Sequence, residues 1–460
     1  MNSVDADVVR CIGNTPMVEV TRIDTGLCRL FLKLENQNPG GSIKDRIGQS
    51  MIRAAERGGQ LRPGGILVEA TAGNTGLGLA LFAALRGYRL ILVIPDKMSR
   101  EKVLHLKALG AEVIMTRSDV GKGHPAYYHD LAEEIAKRTP GAFYINQFNN
   151  PANPLAHETT TGPEIWAQSM QQLDAVVCGV GSGGTMTGLL RFFRRVAPEV
   201  ELVLADPTGS ILADYVHHGS VGTAGSWLVE GIGEDFLPPL LDLEGVRRAY
   251  SISDGESFAA ARLLLQKEGI LGGSSSGTLL AAALRYCREQ KEPKRVVTFV
   301  CDSGNKYLSK LYDDFWMADE GFLPRENHGD LRDLVSRRFS EGAVVSAKPD
   351  EPLSAAYTRM RRYDISQLPV IEEGRIVGLV DESDVLLCVE REGGSFGRPV
   401  HEIMTTKLQM LPPKGTIAEV QAILAEGMVA IIADESGFYG LITRMDLLRH
   451  FRRQASLASA

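Results

Sequence analysis

The chain is poor in features that would assign it to several large classes. Its six cysteines stand at positions 11, 28, 178, 287, 301 and 388, and none forms a C-x-x-C pair. Several lie in strand-like apolar runs such as AVVCG and VVTFVCD, so reduced structural thiols are expected rather than disulfides or a zinc site. The longest apolar run, around LILVIP, falls far short of the roughly 18 residues a membrane span needs. The opening MNSVDADVVR carries acids and no apolar secretory core. Positive charge is not in excess either: 50 Lys+Arg against 57 Asp+Glu leave −7, with no broad basic surface for nucleic acid or an anionic membrane. The expectation is a soluble, cytoplasmic protein with no nucleic-acid, membrane or metal partner.

The rest of the composition, 44% hydrophobic, 23% charged and 7% aromatic, excludes a disordered chain, a collagen or a coiled coil. With 460 residues the chain has room for about three domains. From residue 28 onwards, short β-branched runs alternate with helical patterns: RLFLKLE, ILVEA, RLILVIP, AEVIMT, DAVVCGV, VELVLAD and RVVTFVCD. Nearly all-apolar strands separated by helices predict an α/β fold with parallel strands buried on both faces. Ligands in such folds sit beyond the carboxyl ends of the strands. We place a first domain at 1–320 and a polar, Pro/Gly-bearing linker at 321–338. A β-α-β-β-α repeat follows, at 339–392 and 393–455, because GRIVGLVDESDVLLC matches GFYGLITRMDLLRHF.

Four strand-to-helix loops carry the unusual residues. The first, Asn38 to Arg46, puts Lys44 in a helix's first turn, where the dipole disfavours an ammonium and so favours the neutral amine of Schiff-base chemistry. In isolation a solvated lysine beside a helix-starting Asp45 is the commoner explanation. The second, Glu69 to Gly76, exposes backbone N–H groups beside Thr71, Asn74 and Thr75, a cradle for a carboxylate or an ordinary capping turn. The third, Gly179 to Thr185, is the strongest phosphate signal. It also fits G-x-G-x-x-G with Asp206 ending the next strand, so a dinucleotide oxidoreductase is a rival. That rival leaves the Lys44 and Asn74 loops without a role. The fourth, Gly272 to Thr278, reads alone as a helix cap.

Taken together, NPGGSIKDR, EATAGNTG, QFNNPANPLAH, GVGSGGT, EGIG and GGSSSG occur in the order of one family. Residues 5–320 closely resemble the fold-type II pyridoxal-phosphate β-synthases, the family of cystathionine β-synthase and cysteine synthase (O-acetylserine sulfhydrylase). The terminal repeat resembles a pair of CBS domains, an adenosyl-nucleotide module. The resemblance implies Lys44 as the lysine that holds pyridoxal 5′-phosphate and serves as acid/base. It implies Asn74 at the pyridoxal 3′-oxygen and Gly181, Ser182, Gly183, Gly184 and Thr185 at the phosphate. Ser274 would face the pyridine nitrogen, where a neutral hydroxyl makes a weaker electron sink than a carboxylate. Thr71, Ala72, Thr75, Gln147 and Gly231 would hold the amino-acid substrate.

The implied reaction condenses L-serine with L-homocysteine to L-cystathionine and water, with hydrogen sulfide release from cysteine as a variant. The Lys44 motif, Glu230 to Gly233 and the CBS pair favour it over cysteine synthase. Glu234 departs from the pattern, standing where the animal enzymes have Tyr. Only ten residues precede Cys11 and none is His, so no haem is expected. In the second repeat Thr443 and Asp446 match an adenosyl site, whereas the first has Asp381 at the hydroxyl position ahead of Asp384. At most one effector site is expected, with S-adenosylmethionine as first candidate and pure dimer packing as the alternative. A homodimer is implied by resemblance. A nucleotide-sensing scaffold with an inert catalytic half is the remaining rival.

Overall fold

The apolar runs become strands as expected, but they divide between two sheets. The computed structural model describes residues 7–458 except 72, 97, 122 and 392–394. It separates into two compact units, residues 1–313 and 314–460. Among the described residues of the first unit, one sheet holds four parallel strands. They lie in the order Glu112–Thr116, Arg89–Pro95, Ile66–Ala70, Ala142–Tyr144. The other runs Met17–Glu19, Arg29–Lys33, Arg295–Phe299, Ala175–Gly179, Glu201–Pro207, Arg248–Ile252, parallel except for its antiparallel first strand. The early run RLFLK thus pairs with RVVTF from the far end of the unit, a long-range choice that no local pattern encodes.

Alternation along Ile66–Ala70 shows why these strands are apolar throughout. Leu67 joins a core with Ile47, Met51, Ile52 and Phe82, while Val68 and Ala70 face a second core with Val93 and Ala132. Successive side chains point to opposite faces, and helices cover both. Within the helix Lys44–Arg57, the stripe of Ile47, Met51, Ile52 and Ala55 is buried. This helix meets Asn74–Arg86 backbone to backbone: a Cβ on Gly48 would lie 2.9 Å from the carbonyl carbon of Gly78, and one on Gly78 would lie 2.8 Å from the Lys44 oxygen. Only glycine permits that approach, and it sets the first turns of the two helices side by side.

In the second unit the repeat is visible as two hairpins. Gln367–Glu372 pairs antiparallel with Arg375–Asp381, and Ala430–Asp434 with Gly437–Ile442. Glu373 and Gly374 both take positive φ, 49° and 80°, as a two-residue hairpin turn requires. Each hairpin leads into a helix, Glu382–Arg391 and Arg444–Ala458. Leu331, Leu334 and Val335, from the polar stretch after residue 321, are buried with Val420, Leu424 and Ile442 of the second repeat.

Candidate active site

All four loops end at one cavity of about 290 Å³ in the first unit. Lys44, Thr71, Asn74, Thr75, Gln147, Gly181, Ser182, Thr185, Gly231 and Ser275 line it. The loop Gly231–Gly233 packs over the glycine loop, with the Gly233 amide donating to the Val180 carbonyl at 2.8 Å. Phe148, Phe236, Tyr127 and Tyr128 form an aromatic wall. Ala72 lies outside the described residues.

Lys44 is the first residue of its helix, and its amide donates to Ser42 Oγ at 3.2 Å in the turn that precedes it. Its basicity is lowered, chiefly by burial, while Cys301, Cys178, Asp302 and Glu234 pull the other way. The helix position anticipated the direction, and the cause is desolvation. Asp45 does not sit on the surface starting the helix. It is buried, accepts the Gly40 amide at 2.5 Å, and burial raises it to about 7.

At the other end, Gly183 opens the helix Gly184–Val196 in the left-handed region, φ 87°. A Cβ on Gly184 would fall 1.8 Å from Asn153 Oδ1, and one on Gly181 would fall 2.8 Å from the Gly231 oxygen. Gly181, Ser182 and Thr185 line the cavity at this helix N-terminus, a setting of the kind an anionic phosphate needs, whereas Gly183 and Gly184 are not among the lining residues. Two further residues build this cradle. Asn153 Nδ2 donates to Ser182 Oγ at 2.9 Å and to the Gln147 carbonyl at 2.8 Å. His157 contacts Thr185 Oγ1 at 3.2 Å through Nε2 and Thr161 Oγ1 at 2.9 Å through Nδ1. Burial, reinforced by Lys44 and Arg46, holds the imidazole well below its ordinary range, so it stays neutral. Both residues lie in QFNNPANPLAH, a segment whose motif was legible although neither role was.

Thr75 Oγ1 donates to Gln147 Oε1 at 2.7 Å, and Gln147 Nε2 donates to the Ala70 carbonyl at 3.1 Å. Thr71 Oγ1 accepts the Gly73 amide at 3.0 Å. Beneath them the fully buried Glu69 accepts the amides of Ala70 and Gln147, and burial raises it to about 8. The corner presents hydroxyls and an amide to the cavity, suited to a carboxylate.

Asn74 belongs to a chain of charges that sequence reasoning missed. Its Nδ2 donates to Asp302 Oδ2 at 2.7 Å, which also accepts from Tyr307 Oη at 2.7 Å. Lys102 Nζ donates to Tyr307 Oη at 2.9 Å and to Glu230 Oε2 at 2.6 Å; Lys310 Nζ donates to Glu230 Oε1 at 2.7 Å. Glu230 is therefore not a solvated turn acid. Ser274 is buried, and its Oγ accepts the Glu230 amide at 3.0 Å, while the neighbouring Ser275 lines the cavity. Asp302, Lys306 and Tyr307 follow the strand Arg295–Phe299, so their position beyond a strand's carboxyl end was the available signal.

In the second unit, Thr443 and Asp446 bond reciprocally: the Thr443 amide and Oγ1 donate to Asp446 Oδ2 at 2.7 and 2.5 Å, and the Asp446 amide returns to Oγ1 at 3.4 Å. Asp381 and Asp384 form the same box, amide to carboxylate in both directions, at 3.0 and 2.8 Å. Both pairs start helices. Among the described residues there is no cluster of three or more metal-ligating side chains and no helix long and apolar enough to cross a membrane.

Residues 8–302 match the family model for pyridoxal-phosphate dependent enzymes, and residues 331–391 and 400–453 match the CBS domain model. The chain is 36% identical to the cystathionine β-synthase of Oryctolagus cuniculus over 466 residues, spanning 97% of this chain and 84% of that one. Cysteine synthase A of Escherichia coli (strain K12) is 40% identical over 324 residues, 70% of this chain and 99% of that one. The solved O-acetylserine dependent cystathionine β-synthase of Helicobacter pylori superposes with a TM-score of 0.62 at 36% identity. It covers 67% of this chain and 98% of that one.

Proposed function

The chain belongs to the cystathionine β-synthase family of pyridoxal-phosphate dependent enzymes, and on that premise we propose that it replaces the β-hydroxyl of L-serine with the thiol of L-homocysteine, giving L-cystathionine and water. One observation carries the reading: a lysine of lowered basicity opens into a cavity with an anion cradle at one end and a hydroxyl-amide corner at the other. The donor set fits the cofactor. Gly181 to Thr185 would hold its phosphate, Asn74 its ring oxygen, Ser274 or its neighbour Ser275 its ring nitrogen, and Lys44 its aldehyde carbon. Once bound, pyridoxal phosphate supplies the electron-withdrawing system that lets a proton leave the α-carbon and a substituent leave the β-carbon.

The protein's own residues do the rest. Thr71, Thr75 and Gln147 hold the substrate carboxylate and so fix which α-bond faces the lysine. Lys44 Nζ takes the α-proton and returns it; burial lowers its basicity and so favours the neutral amine that the step needs. The aromatic wall limits water, which would otherwise compete with the thiol. Cysteine in place of serine releases hydrogen sulfide by the same proton movements.

Glu234 lines the cavity and gives a specific reason to weigh O-acetylserine, with sulfide as the thiol, as the second reading. The CBS pair and the alignment along 97% of the chain support the first. The visible spectrum of the holoenzyme separates them. A cofactor band that changes with L-serine, and recovers with L-homocysteine as cystathionine accumulates, is the expected result. A band indifferent to serine but responsive to O-acetylserine would transfer the chain to cysteine synthesis. Lys44→Ala should abolish borohydride-fixed cofactor. The reading extends to a homodimer and to at most one adenosyl effector, at Thr443 and Asp446.

A further inference from the structure

Lys306 takes no part in that chemistry, yet it is buried like Lys33 and Lys102. An ammonium has three hydrogens and no lone pair, and here all three are used. Nζ donates to the carbonyls of Gly40 at 3.1 Å and Gly41 at 3.0 Å, and to Asn74 Oδ1 at 3.0 Å. The first two acceptors belong to the loop that leads into Lys44.

Asn74 is held at its other end by Asp302, through Nδ2 to Oδ2 at 2.7 Å. Charge therefore decides which way the amide faces. Turning it round would set its NH₂ against an ammonium and its oxygen against a carboxylate. The amide nitrogen keeps its second hydrogen for the cavity that Asn74 lines.

We propose that Lys306 is a positioning residue: it locks the Asn74 amide with an N–H aimed at the ring oxygen of the bound cofactor, and ties that donor to the Gly40–Gly41 loop that carries Lys44. The inference rests on the reading that this cavity holds pyridoxal phosphate. A donor aimed at the ring oxygen favours its ionised form, which sets the visible band. Burial lowers Lys306 to about 8; Lys102 acts in the same direction, while Asp302 and Asp45 oppose it. His105 feels the same ammonium, and Tyr307 donates to the shared Asp302. As pH rises through that value the amine keeps two hydrogens for three acceptors, and its lone pair meets an oxygen.

The test compares wild type, Lys306→Met and Lys306→Arg as holoenzymes, by visible spectra across the neutral to alkaline range and by the rate of cofactor loss on dialysis. Lys306→Met should displace the cofactor band and release cofactor roughly tenfold faster, the worth of one charge-assisted bond. Lys306→Arg should keep the neutral spectrum but lose the wild type's alkaline change, because a guanidinium does not deprotonate. A Lys306→Met band and release rate equal to wild type would overturn the proposal. So would an alkaline change that persists in Lys306→Arg, the measurement that decides if the Met variant does not fold. No cofactor band in wild type itself would instead sink the pyridoxal-phosphate reading.

Discussion

Glu230 sits between two lysines, and removing it should cost far more than removing either cation. The Lys102–Glu230 pair is 2.6 Å apart, with side chains 1% and 5% exposed. At an effective dielectric near 20 that attraction is about 6 kcal/mol before desolvation, which cancels most of it. Glu230→Gln loses the attraction but leaves the Lys102 ammonium buried, facing the Tyr307 hydroxyl. That orphaned charge costs about 3–5 kcal/mol. Lys102→Met leaves Glu230 paired with Lys310 at 2.7 Å, so about 2 kcal/mol is expected. The double variant should cost about 2 kcal/mol less than the two singles summed. Guanidinium unfolding followed at the cofactor band reports the first unit, which matters because two units need not unfold together. Effects that add to within about 0.5 kcal/mol would refute the coupled network. The acid side gives a second check. Burial pushes Glu230 up, but Lys102 and Lys310 more than offset it and leave its carboxyl below the usual range. Its contribution is present above the ordinary carboxylate range and is lost as pH falls through the lowered value. That part of the acid sensitivity should vanish in Glu230→Gln.

Other perturbations probe other parts. Gly184→Ala places a methyl 1.8 Å from Asn153 Oδ1, whose amide is pinned by Gln147 and Ser182. We expect cofactor affinity to drop about 10- to 100-fold, measured as cofactor retained on gel filtration; full retention would contradict the cradle. His157→Leu strips Thr185 of its partner and should speed cofactor release by about tenfold, with unchanged release arguing that the histidine only fills space. Gly78→Ala forces apart the helices that align Lys44 and Asn74, so kcat should fall by at least about tenfold while the circular dichroism is kept. Asp446→Ala removes a helix-starting box, at about 1 kcal/mol for the second unit. Calorimetry should show heat with S-adenosylmethionine, AMP or ATP in wild type and none in this variant; silence in wild type would reduce the box to a helix cap.

Some of this was written locally and some was not. The four loops could be read because their work is done by consecutive backbone groups: only glycine allows the turn at Gly183 and the approach at Gly184, and Lys44 must open a helix. The strands were equally legible, since burial on both faces demands unbroken apolar runs. The sequence could not tell how those runs divide between two sheets, because RLFLK and RVVTF find each other only when the unit closes. Nor could it reveal the charges beneath the cavity. Asn74 meets Asp302 from 228 positions away and Lys306 from 232, and Lys102 meets Glu230 from 128. A lysine in a sequence is a surface residue until the fold removes its water. Once Lys306 and Lys102 are buried, their hydrogens must find acceptors, and it is the packing of distant segments that makes those acceptors the carbonyls and carboxylates of the site.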